Sequence, residues 1–394
     1  MKPAARLEAI PPYPFTAIAR AKMAAIAAGA DIIDLSIGDP DLGTPAHIVA
    51  ALKAAVDDKR THRYDETGSG LPEFRQAVAQ WMQRRFGVAL NPDTEVLRLI
   101  GSKEGLAHLL WALVGPGDVV LYPDPGYPVY RVNAALAGAE GYPVPLTAAN
   151  GWRPDLAAIP SAIAQRARVL LMCYPHMPTG AVIDEAGLRE MVAFARQHDL
   201  VLAYDHAYSE ITYDGYAAPS PLQIAEARER TIEFHSLSKG YRMTGWRIAW
   251  ACGGADIVAA LWKLKSNLDS GVFLAIQRAA VTALTGPQDC LEENRRVYGE
   301  RRDVIIAALN AAGWKLEPPR GAMYVWAPVP KGLTSAEFCE RALREAAVVF
   351  TPGAAFGAQG EGWFRIALSC VGGTERVREA MRRLADTLPV ICRK

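Results

Sequence analysis

Five short apolar runs, separated by helix-like stretches, limit this chain to a narrow set of folds. They are Asp118 to Tyr122, Val169 to Cys173, Leu200 to Tyr204, Thr231 to His235 and Ile248 to Cys252. Each is too short for a buried helix and too uniformly apolar for a strand with one wet face, so each reads as a strand covered on both sides. Amphipathic segments such as Glu185 to His198 lie between several of them. That alternation predicts an α/β core, a mostly parallel sheet between layers of helices.

After about residue 290 the texture changes. A long charged amphipathic segment, Leu291 to Ala312, precedes the strand-like Ala322 to Ala327. Helix and strand patterns then alternate through Ser335–Ala346, Trp363–Leu368 and Thr374–Leu388. At 394 residues the chain exceeds what one core usually serves. The expected division is an N-terminal arm over 1–45 that joins the smaller domain, a large domain over 46–289, and a small α+β domain over 290–394. The arm reads as too short and irregular for a core of its own.

Net charge is +1, which gives no reason to expect nucleic acid or an anionic membrane as partner. Residues 1–9 lack the apolar segment of a secretory signal, and charged or turn residues interrupt every apolar stretch. A soluble, cytoplasmic protein is expected. The six cysteines show no CxxC spacing and the seven histidines no HExxH, so neither disulfides nor a metal are expected.

The chemistry concentrates in Ser236-Leu237-Ser238-Lys239-Gly240-Tyr241-Arg242-Met243-Thr244-Gly245-Trp246-Arg247. An amine can form a Schiff base with an aldehyde, while a hydroxyl and a guanidinium hold a dianionic phosphate. Pyridoxal phosphate carries both groups; the alternative is a surface loop with incidental basic residues. Gly101-Ser102-Lys103-Glu104-Gly105 follows the apolar run Val96 to Ile100 and opens a helix pattern, so it suits either a phosphate or a plain helix cap. Asp205 stands at a strand end with Tyr208 three residues on. A carboxylate there either caps a turn or keeps a pyridine nitrogen protonated, which makes the ring an electron sink. Tyr127, in Pro-Asp-Pro-Gly-Tyr-Pro, reads as a ring held against a flat cofactor or as core packing. Arg365 is a lone charge in the apolar strand Trp363 to Leu368, suited to a structural ion pair or to a bidentate clamp on a substrate carboxylate.

Together these residues resemble the class I/II aminotransferases, fold type I pyridoxal phosphate enzymes, over nearly the whole chain, which implies a mostly parallel sheet of seven strands in the large domain. The resemblance is strongest to the LL-diaminopimelate aminotransferase-like and alanine/aromatic aminotransferase-like branches, the former above all, in Asp34-Leu-Ser-Ile-Gly-Asp-Pro-Asp41, Ile100 to Gly105 and Asn267-Leu-Asp-Ser-Gly-Val-Phe273. It implies that Lys239 forms the Schiff base and moves the substrate α-proton through a quinonoid. It also implies that Asp205 meets the ring nitrogen, Tyr208 the ring hydroxyl and Tyr127 the ring face. Phosphate would be held by Ser102, Lys103, Ser236 and Arg247, with Tyr64 reaching it from the second subunit of a homodimer. Arg365 would take the α-carboxylate, with Gly38 lining the pocket.

One position departs from the family pattern. Where asparagine normally precedes Pro-Thr-Gly, this chain reads Tyr174-Pro-His-Met-Pro-Thr-Gly180, with Met177 in that place. The loss of an amide removes one hydrogen bond to the ring oxygen, about 1 kcal/mol, with His176 or water as a substitute donor. Transamination of a free amino acid with a long polar side chain is the favoured reading. A β- or γ-elimination, replacement or cyclisation starting from the same Schiff base is the alternative. A cofactor-binding regulatory domain is disfavoured, because no DNA-binding helix pair or basic extension accompanies these motifs.

Overall fold

The computed structural model describes residues 2–8 and 10–393. In chain order its strands are β1 (Ile33–Asp34), β2 (Val96–Leu99), β3 (Val119–Asp124), β4 (Glu140–Pro145), β5 (Ala167–Met172) and β6 (Val201–Asp205). They continue as β7 (Thr231–Ser236), β8 (Ala249–Gly253), β9 (Tyr324–Pro328), β10 (Val348–Val349), β11 (Thr351–Pro352) and β12 (Trp363–Ala367). Seven form one sheet in the order β2-β8-β7-β6-β5-β3-β4. Only β8 runs against its neighbours; the other pairings are parallel.

The central strands are apolar throughout because helices cover both faces. Leu170 and Leu202 pack on one side with Leu188, Met191, Val192 and Ala195 of the helix Glu185–Gln197. Those four helical positions recur at i, i+3, i+4 and i+7, which gives one apolar stripe. Asp184 starts that helix by accepting the Gly187 amide, a cap contributing about 1 kcal/mol. On the other side Leu171, Ala203 and Phe234 meet Leu106, Leu109 and Leu110 of the helix Ser102–Leu113 in one apolar cluster. That cluster runs on without a break to Phe364 and Ile366.

The C-terminal part carries two small sheets. The antiparallel β11-β12-β9 places Arg365 opposite both Thr351 and Trp326. The other pairs β1 with β10 in parallel, which ties the N-terminal segment to residues 348–349. Asp31 strengthens that attachment through Arg376 and Arg383, and Lys22 reaches Asp34 at 2.7 Å.

Two expectations need correction. The N-terminal arm is not irregular: Pro14–Ala27 is a 14-residue helix, although none of its residues is buried. Alanine-rich sequence with proline at the first position forms helix without needing a core face. Strand β4 was not anticipated, since its prolines 143 and 145 break the strand pattern. An edge strand tolerates proline because one row of its amides faces no neighbour.

Candidate active site

The parallel strands β3, β5, β6 and β7 end on one side of the sheet, and β2 points the same way because it is antiparallel to β8. Their following loops enclose a cavity of about 430 Å³. This is the crevice beyond the carboxyl ends of strands where open α/β sheets bind ligands. Eleven of the thirteen residues singled out in the sequence line it: Gly38, Ser102, Lys103, Tyr127, Met177, Asp205, Tyr208, Ser236, Lys239, Arg247 and Arg365.

The other two lie elsewhere. Tyr64 is 78% exposed on the surface of this chain. His176 is fully buried but turned from the cavity, with Nδ1 2.8 Å from Thr179 Oγ1. Burial holds its imidazole well down, at about 3, so it is neutral. The expectation that His176 replaces the missing amide is therefore corrected: the turn before Pro178 sends Met177 inward and His176 toward Thr179.

Lys239 sits in a single helical turn, Leu237–Gly240, directly after β7, with Ser236 accepting the Ser238 amide as cap. Its Nζ donates to the Gly38 carbonyl at 2.5 Å. Burial, with smaller contributions from the charges of Arg365 and Arg247, lowers its pKa to about 8 against the opposing pull of Asp39. A neutral amine is the nucleophilic form, so this shift favours attack on an aldehyde near neutral pH.

At one end of the cavity the helix Ser102–Leu113 begins without any side-chain cap. Its first amides and macrodipole therefore face the space as anion donors. Gly101 has φ +91°, and a Cβ there would lie 2.2 Å from Arg247 Nη2, so only glycine lets that guanidinium approach. Lys103 is depressed by burial and by the Arg247 charge. This is a concentration of positive charge without a counter-anion.

Asp205 closes the floor. Its Oδ2 accepts from Tyr130 at 2.8 Å, while the buried Oδ1 has no partner. Burial raises the carboxyl to about 6 despite the Tyr130 bond. A protonated ring nitrogen would satisfy Oδ1 and remove the cost of the buried charge. The unpartnered oxygen, the cationic helix start and the lysine together fit pyridoxal phosphate.

Arg365 is 3% exposed and meets no carboxylate among the described residues. One nitrogen donates to the Ser36 carbonyl at 2.5 Å, another lies 3.6 Å from Met177 Sδ, and Nε has no partner. The aromatic faces of Tyr324 and Phe356 lie 4.3 and 4.6 Å from Cζ. Among the described residues Lys103, Lys239, Arg247 and Arg365 form no ion pair.

Sequence reading missed Tyr130 and Tyr324. Tyr130 lies three residues after Tyr127, in the first turn of the helix Val129–Leu136, a spacing that could have drawn attention to it. Tyr324 gave no signal, since an aromatic residue in an apolar strand ordinarily packs. Histidine clustering was also invisible in the spacing: His206 and His235 both approach Glu233, at 3.4 and 2.7 Å, in a fully buried group. Glu233 also accepts the Ser220 hydroxyl, while the buried His206 Nε2 has no partner among the described residues.

Residues 30–384 match the family described as aminotransferase class I and II. The chain is 54% identical over 388 residues to an LL-diaminopimelate aminotransferase of Moorella thermoacetica, covering 98% of this chain and 99% of that one. It is 51% identical to the LL-diaminopimelate aminotransferase of Desulforudis audaxviator, covering 98% and 97%. A substrate-bound BacF structure from Bacillus subtilis superposes with TM-score 0.94 at 36% identity, covering 98% of both chains. A probable N-succinyldiaminopimelate aminotransferase from Thermus thermophilus gives 0.89 at 38%, covering 94% and 99%.

Proposed function

The chain belongs to the class I and II aminotransferases and is a pyridoxal phosphate-dependent enzyme acting on an amino acid; on that premise we propose that its amino donor is LL-diaminopimelate or a close analogue. The single observation that carries the donor class is Arg365, a buried guanidinium without an acid partner among the described residues, facing the same cavity as Lys239 and Asp205. The α-carboxylate of an amino acid supplies the missing charge, and the α-carbon then lies toward Lys239. The particular side chain is supported by the two relatives of that name.

When bound, pyridoxal phosphate supplies an aldehyde that condenses with amines and a protonated ring that withdraws electrons. Lys239 Nζ, depressed to about 8, is the amine proposed to attach the cofactor and then to carry the proton at the substrate α-carbon. Asp205 Oδ1 is proposed to hold the ring nitrogen, fixed in place by Tyr130. Tyr127 is assigned to the ring face and Tyr208 to the ring oxygen. Ser102, Lys103, Ser236 and Arg247 are assigned to the phosphate. Gly38 keeps the wall beside Lys239 free of a side chain. Met177 is proposed to border the α-carboxylate through its contact with Arg365.

We also propose a homodimer in which the exposed Tyr64 reaches the phosphate of the second subunit. Residues 46–289 would form the cofactor-bearing domain, and 1–45 with 290–394 the smaller one. The elimination or cyclisation alternative finds no support in the relatives named above.

The test is a single turnover of cofactor-loaded protein with LL-diaminopimelate and a panel of other amino acids. Stoichiometric oxo-acid release with the amino group left on the cofactor is the expected result, largest for LL-diaminopimelate. Release of a side-chain fragment with the aldehyde regenerated would overturn transamination, and equal reaction with short apolar amino acids would overturn the donor assignment.

A further inference from the structure

Met177 contributes no hydrogen-bond donor to the cavity; its sulfur instead lies 3.6 Å from Arg365 Nη1. A different residue occupies the neighbouring space. Tyr324, at the start of β9 and 3% exposed, places its hydroxyl 2.8 Å from that of Tyr208. No other hydrogen bond is made by either hydroxyl among the described residues. The Tyr324 ring lies 4.3 Å from the Arg365 guanidinium. Its tip occupies a notch that only a bare backbone leaves open, because a Cβ on Gly38 would lie 2.0 Å from Tyr324 Oη. The Gly38 carbonyl in turn receives Lys239.

A phenol has a single proton. If Tyr208 directs its own into the cavity, the proton in the 2.8 Å contact between the two hydroxyls must come from Tyr324, the one hydroxyl bonded to Tyr208 among the described residues. Burial raises Tyr208 well above an ordinary phenol, so it stays protonated and able to donate. Linked hydroxyls polarise each other, which strengthens the terminal donor.

We propose that Tyr324 is a positioning residue that donates to Tyr208, orients the Tyr208 hydroxyl toward the cofactor's ring oxygen, and so offsets the donor that methionine at position 177 lacks. This rests on the cofactor assignment above and concerns residues of this chain alone. No bond is made or broken in the relay.

The experiment titrates the visible absorbance of cofactor-loaded protein against pH, without substrate, for wild type, Tyr324→Phe, Tyr208→Phe, and Tyr324→Phe combined with Met177→Asn. Lys239, Asp205, Asp39, Arg365 and Tyr127 also face the cavity, as do Tyr13, Lys103, Tyr130, Cys173 and Arg247, and all are the same in every variant. Donors to the ring oxygen stabilise its deprotonated form, so Tyr324→Phe is expected to move the midpoint upward by roughly half to one pH unit, the effect of one hydrogen bond. Tyr208→Phe should move it at least as far, and adding Met177→Asn to Tyr324→Phe should bring it back. Tyr324→Phe keeps the aromatic ring, so a purely structural role predicts an unmoved midpoint. An unmoved midpoint, or a shift that Met177→Asn fails to reverse, overturns the proposal. Wild-type protein that takes up no cofactor would overturn the underlying assignment as well, and is told apart by the absence of any absorbance to titrate.

Discussion

Buried charge is treated in opposite ways in two regions of this molecule. Beside the cavity, between the loop 65–71 and the segment 265–271, Lys265 is fully buried and bonded to Glu104 at 2.9 Å and Asp269 at 2.6 Å. Arg98, equally buried, donates to the Gly68 carbonyl at 2.6 Å and has the carboxylates of Asp65 and Asp269 within 3.9 and 3.6 Å, although its Nε and Nη1 make no hydrogen bond among the described residues. In the cavity, the buried Arg365 and the half-buried Lys239 form no ion pair among the described residues, and one oxygen of Asp205 has no donor. A desolvated charge without a partner costs several kcal/mol, roughly, even after relaxation. The paired network is consistent with a purely structural role. On the function proposed above, the unpaired set carries that cost for groups the chain itself does not provide: a ring nitrogen and a carboxylate.

Substitutions in the two regions should therefore separate activity from stability. The largest effect is expected from Lys239→Ala, which should lower turnover at least about a thousandfold while leaving the unfolding midpoint in denaturant no lower than wild type. A comparable loss of stability would place Lys239 with the structural charges. Lys265→Met should do the reverse, costing about 3–5 kcal/mol of unfolding free energy by leaving Glu104 and Asp269 without their cation. A stable Lys265→Met protein would erase the contrast.

Arg365→Met keeps the side-chain volume and should raise KM for amino acids roughly a hundredfold, the scale of losing one partner of a desolvated pair. Its stability should match or exceed wild type, because a buried charge is removed. Unchanged KM would show that the carboxylate docks elsewhere.

The smallest effect concerns Asp205 in cofactor-free protein. Its folded pKa, about 6, lies above the ordinary 3.8. Folding therefore favours the protonated form, and this group's contribution is fully present below pH 3.8 and lost as pH rises through about 6. Asp205→Asn does not titrate and should be more stable than wild type at pH 8 by about 1–3 kcal/mol, with little difference at pH 4. The same change should weaken cofactor retention. Equal stability of the two proteins at both pH values would mean that the carboxylate is already satisfied.

The parts legible in the sequence were those where burial acts on whole runs of residues. Strands β3, β5, β6, β7 and β8 announced themselves because both faces are covered. Arg365 stood out because a charge interrupts one such pattern, and Lys239 because amine, hydroxyl and guanidinium fall within twelve residues. Strand β4 was hidden by its edge position and prolines, and the 14–27 helix by its lack of a buried face. Tyr130 and Tyr324 were hidden because their hydroxyls meet Asp205 and Tyr208 across distances of 75 and 116 residues. Side-chain direction decided the remaining case: His176 and Met177 are adjacent in sequence, yet only one enters the cavity.

The central claim is that Lys239 carries the cofactor. Protein loaded with pyridoxal phosphate, reduced with borohydride and digested, should yield one peptide heavier by the phosphopyridoxyl group, with the modification at Lys239. A label on another lysine, or none on any, would contradict the account.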